Sequence, residues 1–195
     1  NVLTDFLTTG TYTAKREFYK TTSPSMDILV SSNLERLLYH VTGSDAEVAG
    51  LMKSLNETGS YTVRPETLKA IQESFDCGWS SEEQVAGVIR ARYEKDGYLC
   101  DTHTAVAFHV AAQKKRDGVP MVVLSTASPF KFPRSVLEAL GHTAPENDFE
   151  AMQALEEATG RTAPASLAVL RQKAERFSTV IDPAQIAEVA LSCQA

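Results

Sequence analysis

The sequence predicts an α/β fold that is rich in helices and has a short, mainly parallel sheet. The first observation is the run Met-Val-Val-Leu at 121–124, which is apolar, rich in β-branched residues and preceded by a proline. Such a run is typical of a strand buried on both faces. The second is that helical patterns with capping signals fill most of the chain. The third is that strand candidates run straight into polar residues, as in α/β proteins whose sites gather at strand ends.

Helices are predicted where apolar residues recur at helical spacing behind a start signal. The first has Val2, Leu3, Phe6 and Leu7 on one face. The start signals of the next six are Ser32-x-x-Glu35, Ser44-x-x-Glu47, Pro65, Ser80-x-x-Glu83, Thr102 or Thr104, and Pro133. Three more helices are predicted near 147–159, 164–177 and 183–193. Their apolar residues are expected to pack back on the domain; they include Leu167, Val169, Leu170, Phe177, Ile186 and Val189.

Strand candidates are few and short. They lie at 27–30, 61–63, 98–100 and 121–124. A composition shift at 142–147, His-Thr-Ala-Pro-Glu-Asn, has the character of a connector. We therefore predict a core at 1–142 and a carboxyl-terminal helical extension, packed on that core, at 143–195.

Composition and charge narrow the function classes. The 195 residues are 43% hydrophobic and 23% charged, with a net charge of −6. Nucleic-acid-binding proteins usually have an excess of Lys and Arg, so this composition argues against that class. No apolar run approaches the roughly 20 residues that cross a bilayer, so no membrane span is predicted. The three cysteines, Cys77, Cys100 and Cys193, match neither a zinc pattern nor a disulfide framework, which favours a reducing cytoplasm. No motif predicts a metal site.

Three hydroxyl residues follow the 121–124 run. Ser125, Thr126 and Ser128 fall where ligand-contacting groups belong in an open α/β sheet. The alternative is that they only cap the turn before the helix at Pro133.

Three segments resemble the threonine synthase family. Residues 23–39 resemble its SPSMDI…SSNLERLL signature, residues 97–107 its GY-x-x-D/E-P-H-T/A-A-V-A/G stretch, and residues 121–132 its strand and turn containing LSTA. The segments stand in the family's order and at similar spacing. The resemblance covers residues 1–142 well and the rest loosely.

The resemblance implies the carboxyl-terminal part of a fold-type-II, tryptophan-synthase-β-like enzyme with pyridoxal 5'-phosphate as cofactor. The reaction it implies is that of a carbon–oxygen lyase acting on phosphates, which converts O-phospho-L-homoserine and water to L-threonine and phosphate. No lysine here matches the family's Schiff-base motif, and no glycine-rich phosphate loop is present. Both are expected upstream of Asn1, so we nominate no catalytic residue. We expect this chain to be inactive without the missing amino-terminal part of the same enzyme.

The resemblance also implies site residues. Thr126 matches the threonine that hydrogen-bonds the pyridine nitrogen of the cofactor. Asp27 and Asn33, with Ser25, are implied to line the site near the substrate or the cofactor, with Asp27 and Asn33 taken as substrate-binding. The alternative is that Asp27 ends a strand and Asn33 is a residue of a first helical turn. Asp101 and His103 precede a helix amino terminus, which suits an anionic substrate. The alternative is that they are a helix-start and a first-turn residue.

Two rival functions remain open at this point. One is another fold-type-II lyase, such as threonine dehydratase or diaminopropionate lyase, against which the SPSMDI and NLERLL resemblance speaks. The other is a non-catalytic helical interaction module, because the chain lacks the Schiff-base lysine.

Overall fold

Helices dominate the structure, a computed structural model that describes residues 1–176 and 178–192. The helices of the described chain are α1 Val2–Thr9, α2 Leu34–Thr42, α3 Asp45–Thr58, α4 Pro65–Ser74, α5 Glu82–Asp96, α6 Thr102–Lys114, α7 Pro133–Ala139, α8 Asp148–Thr159, α9 Ala165–Ala168 and α10 Ile186–Ser192. Single 3₁₀ turns are Pro24–Met26, Pro129–Lys131, Val169–Gln172 and Pro183–Gln185. The strands are β1 Thr11–Thr13 and β2 Ser60–Thr62. The helix-rich α/β class with a small sheet is confirmed.

The sheet differs from the prediction in its pairing. Strands β1 and β2 are antiparallel, with Tyr12 opposite Tyr61, so the predicted mainly parallel pairing is wrong for the described residues. Of the four predicted strands, only 61–63 overlaps an observed one. Segments 27–30, 98–100 and 121–124 are irregular because a strand needs a hydrogen-bonding neighbour, and none pairs with them in the described chain. Val122 and Leu124 are accordingly 77% and 74% exposed.

Ten helices are predicted and the described residues contain ten, but several begin one residue away from the predicted signal. Ser44 caps α3 as predicted, accepting a bond from the Glu47 N–H. The predicted box at Ser80 is shifted to Ser81 and Gln84, which exchange both bonds. The predicted box at Ser32 is wrong, because Asn33 occupies the N-cap of α2 and makes no side-chain cap bond. Helix α6 begins at Thr102, one of its two predicted starts, and Asp101 is its N-cap residue.

The first hydrophobic cluster joins α1, α2, α4 and the sheet. Its centre is an aromatic group in which the Tyr12 and Tyr61 rings stack 5.3 Å apart and Phe6 meets both rings. Leu38 and Ile71 are fully buried beside them. This packing holds β1, and therefore the loop after it, in a fixed place.

The second cluster lies between α5, α6, α7 and α8. Ile89, Val136 and Leu155 are fully buried in it. Helix α8 packs on α7 across the predicted connector at 142–147. The division into a core at 1–142 and an extension at 143–195 stays a prediction.

The tail packs less than predicted. The helix expected at 164–177 is only α9 followed by a 3₁₀ turn, and of its apolar residues Leu167 packs on the second cluster. Val169 and Leu170 are about half exposed, and α10 has no buried residue, so the expectation that the last helix packs back on the domain is wrong. Phe177 and Cys193 lie outside the described residues.

Candidate functional site

The amino terminus of α6 is the meeting point of the three motif segments. Asp101, the N-cap residue, is fully buried and accepts bonds from the backbone N–H groups of His103 at 2.9 Å and Thr104 at 3.3 Å. Its other oxygen accepts the Thr104 hydroxyl proton. A buried carboxylate is tolerated because several donors and the helix dipole stabilise its charge. Asp101 is therefore the anionic centre of a hydrogen-bonded network.

His103 connects Asp101 to the first motif segment. Its Nδ1 lies 3.2 Å from Asp101 Oδ1, and its Nε2 accepts the Ser25 N–H at 3.2 Å. An Nε2 that accepts a bond carries no proton, so the proton on the ring sits on Nδ1 and donates to the carboxylate. The ring packs against Phe132, 4.8 Å between centroids. His103 thus ties the 3₁₀ turn at Pro24–Met26 to α6.

Thr104 connects Asp101 to the third motif segment. Its hydroxyl donates to the Asp101 carboxylate and accepts the Thr126 N–H at 3.3 Å. Donation to a carboxylate makes the oxygen a better acceptor, because hydrogen bonds in a chain polarise one another. The backbone at Thr126 is therefore anchored, through one buried hydroxyl, on the charge of Asp101.

Thr102 makes a parallel connection. Its hydroxyl donates to the Thr22 carbonyl at 2.7 Å, and the Thr22 N–H donates to Glu82 Oε2 at 3.0 Å. Threonine stands here where the family pattern has proline. A buried threonine on the first helical turn keeps a donor that proline lacks, and that donor fixes the entry to the 23–39 segment.

Thr126 presents its side chain outward. The residue is exposed, and within the described chain its hydroxyl has no hydrogen-bond partner, whereas its backbone N–H is bound to Thr104. A fixed backbone with a hydroxyl open to a ligand is the arrangement that a binding role requires. The structure therefore leaves this hydroxyl available for a cofactor contact.

Asp27 and Asn33 lie on the first motif segment but outside the network. Both oxygens of Asp27 accept bonds from Thr21, at 2.7 Å from its N–H and 2.7 Å from its hydroxyl, so Asp27 closes the loop around Pro24–Met26. Asn33 is exposed and accepts a bond from Arg36 at 2.6 Å. Their substrate-binding roles, like those of Asp101 and His103, stay predictions.

Tyr12 is a supporting residue that the sequence did not reveal. Its buried hydroxyl donates to the Leu29 carbonyl and accepts the Ser31 N–H, both at 2.9 Å. Burial raises the pKa of this phenol, so it stays a donor at neutral pH. A buried tyrosine hydroxyl normally has a hydrogen-bond partner, so a supporting role could have been expected for Tyr12. The sequence does not indicate which residues that partner comes from. Tyr12 fixes the residues between the 3₁₀ turn and α2.

The Cys100 thiol is buried, and the described residues contain no cluster of metal-ligating side chains. Burial, and next the charge of Asp101, raise the pKa of the Cys100 thiol to about 11, which leaves it protonated and unreactive. Across residues 1–176 and 178–192, no group of three metal-ligating side chains is present. Over the same residues, no helix has the length and apolar character that a membrane span needs.

Comparison with known proteins finds relatives that are named threonine synthase or threonine synthase-like. The family model for the threonine synthase C-terminal region matches residues 104–190. Threonine synthase from Methylobacillus glycogenes is 37% identical over 147 residues, which are 73% of this chain and 31% of that protein. Human threonine synthase-like 1 is 36% identical over 142 residues, 72% of this chain and 19% of that protein. The chain thus spans a third or less of each of these relatives.

The solved structure of PLP-bound threonine synthase from Brucella melitensis extends the match to the whole fold. It superposes on all of this chain and on 39% of its own length, with a TM-score of 0.81 and 37% identity. The motif segments, the family model and this superposition agree. The chain belongs to the threonine synthase family and corresponds to its carboxyl-terminal portion.

Proposed function

We propose that the full-length protein containing this chain is a PLP-dependent threonine synthase, which converts O-phospho-L-homoserine and water to L-threonine and phosphate. The observation that carries the proposal is the network at Asp101. It joins the three segments that resemble the family and leaves the Thr126 hydroxyl open. The free cysteines Cys77 and Cys100 support a reducing cytoplasm as the compartment.

The residues present fit the pyridine end of the cofactor. The exposed hydroxyl of Thr126 is a suitable partner for a ring nitrogen, and its backbone is held from beneath by Thr104. When bound, pyridoxal phosphate supplies the electron sink for elimination and replacement at the β and γ carbons. A neutral hydroxyl, unlike a carboxylate, does not enforce protonation of the ring nitrogen, and this favours elimination over transamination.

The other parts of the site come, in this proposal, from the amino-terminal part of the same enzyme. That part supplies the Schiff-base lysine and the loop that binds the cofactor phosphate, so the 195 residues alone are inactive. The proposal assigns four residues to the substrate side, namely Asp27, Asn33, Asp101 and His103. The role of His103 is to hold the turn at Ser25. Because Asp101 is itself anionic and fully buried, it acts on an anionic substrate through its neighbours rather than by contact.

The test is an assay of the full-length protein with bound PLP. With O-phospho-L-homoserine we expect equal amounts of phosphate and L-threonine. Formation of 2-oxobutyrate from threonine, without phosphate release from phosphohomoserine, would instead identify a dehydratase. A protein that binds no PLP and forms a complex with another protein would be an interaction module.

Thr126 is tested by substitution in the same protein. Thr126→Asp places a carboxylate at the ring nitrogen, so we expect an altered absorbance spectrum of the bound cofactor and an altered partition between products. Thr126→Ser keeps the hydroxyl and is expected to resemble the wild type. Wild-type spectra and kinetics in Thr126→Asp would remove Thr126 from the cofactor site.

A further inference from the structure

We propose that Thr104 is a positioning residue that sets the Thr126 hydroxyl against the cofactor, acting as a relay from the buried charge of Asp101. This inference rests on the proposed function. Thr104 does not face the ligand itself, since its side chain is buried. Its effect passes through the backbone of Thr126.

The geometry assigns the relay a direction. The Thr104 hydroxyl has one proton, and that proton goes to Asp101 Oδ2. Its lone pair is then directed to the Thr126 N–H, 3.3 Å away. Asp101 in turn is held by the amino terminus of α6 and by His103 Nδ1. Every group in the relay has a defined donor or acceptor role, so Thr126 has one preferred backbone placement.

The relay matters because, within the described residues, the turn that follows 121–124 has few other constraints. Residues 121–126 form no secondary structure in the described chain, and most of them are exposed. The next anchors along the chain are the Ser128 cap, whose hydroxyl accepts the Phe130 N–H at 3.3 Å, and the buried Phe130 ring. A hydroxyl that must meet a ring nitrogen needs placement within a fraction of an ångström. The Thr104 bond supplies this placement at the residue that makes the contact.

Thr102 provides a matched control. It lies two residues away on the same helical turn, is equally buried, and also donates a hydroxyl bond, but to the Thr22 carbonyl. Thr102→Val and Thr104→Val therefore make the same change of shape and polarity, and only the second one releases Thr126. Thr104→Ser keeps the hydroxyl and should restore the relay.

The first readout is hydrogen–deuterium exchange of the full-length apoprotein, followed in peptides that contain Thr126. We expect Thr104→Val to speed exchange there about tenfold, the cost of a lost hydrogen bond, with Thr104→Ser within about twofold of the wild type. Thr102→Val should leave this peptide unchanged. Wild-type exchange in Thr104→Val, or equal acceleration in Thr102→Val, would overturn the relay.

The second readout is the dissociation constant and absorbance spectrum of PLP in the same proteins. Thr104→Val should weaken PLP binding about tenfold and shift the spectrum in the direction of Thr126→Val, with rescue by Thr104→Ser. If Thr104→Val binds PLP as tightly as the wild type, the inference about Thr104 is wrong, whereas the proposed function is unaffected. If the wild type binds no PLP, the proposed function fails and the cofactor half of the inference fails with it. Should Thr104→Val not fold, Thr104→Ala, which removes the same hydroxyl without adding bulk, must show both effects.

Discussion

At the residue scale, the buried hydroxyl of Tyr12 holds the loop that leads into α2 in place. Tyr12→Phe removes the hydroxyl that bridges Leu29 and Ser31 but keeps the stacked ring. Because two backbone groups lose their partner, we expect the free energy of unfolding to fall by about 1–3 kcal/mol, measured by urea denaturation of the full-length protein. Tyr61→Phe is the control, since the Tyr61 hydroxyl has no hydrogen bond within the described residues. An equal loss in both variants would contradict the bridging role.

The buried thiol of Cys100 predicts a loss of stability at alkaline pH. Its pKa is raised from 9.0 to about 11, so folding favours the protonated thiol. This contribution is complete below pH 9 and is lost as pH rises towards 11, because the unfolded chain ionises first. Between pH 8 and 10.5 the wild type should lose about 2 kcal/mol more than Cys100→Ala, measured by urea denaturation at each pH. Parallel pH curves for the two proteins would show that this thiol titrates normally.

At the element scale, two adjacent serines before α5 differ in role, because only one of them caps the helix. The Ser81 hydroxyl accepts the Gln84 N–H and completes the capping box of α5, whereas the Ser80 hydroxyl is buried without a partner. We expect Ser81→Ala to lower the free energy of unfolding by about 1 kcal/mol. Ser80→Ala should cost nothing or stabilise slightly, because it removes an unsatisfied polar group. Urea denaturation of both variants measures the difference, and the reverse order would restore the box predicted at Ser80 and Glu83.

The same pair shows how far the sequence predicts the elements. Helical periodicity and the glycine or proline signals located the helices, because these are local properties of the chain. The capping-box pattern fits both serines equally, because Ser80 is followed three residues later by Glu83 and Ser81 by Gln84. The choice between them depends on how α5 packs against the second cluster, which is not local. For the same reason Asp101 could be placed at the start of α6, but its bonds to Thr104 and His103 could not.

Three of the four strand predictions failed for a related reason. The run at 121–124 has the composition of a strand, but strand formation requires a neighbour, and composition does not say which part of the chain provides it. The site residues were chosen through resemblance, and the structure adds the physical link between them. Thr126, His103 and Ser25, far apart in the chain, share one network because Asp101 is buried among them.

At the scale of the whole molecule, several apolar residues that are exposed in this chain form a surface that another part of the full-length protein should cover. Val122 and Leu124 share one face if this segment becomes a strand, and Val119 and Met121 are exposed close by. Exposed apolar residues that cluster along one segment mark a candidate interface. The B. melitensis enzyme, of whose length this chain covers 39%, has ample further sequence to provide neighbouring strands. We therefore expect this face to be buried in the full-length protein.

Lysine substitution tests this expectation in two proteins. In the full-length enzyme, Val122→Lys with Leu124→Lys buries charge in a sheet and should lower the free energy of unfolding by about 3 kcal/mol or more, measured by urea denaturation. In the 195-residue chain alone, the same change should reduce self-association in sedimentation velocity, because it removes apolar surface. Glu73→Lys, at an exposed charged residue of α4, is the control and should alter stability by no more than about 0.5 kcal/mol. If the double variant matches Glu73→Lys in the full-length protein, the 121–124 face lies open to solvent there as well.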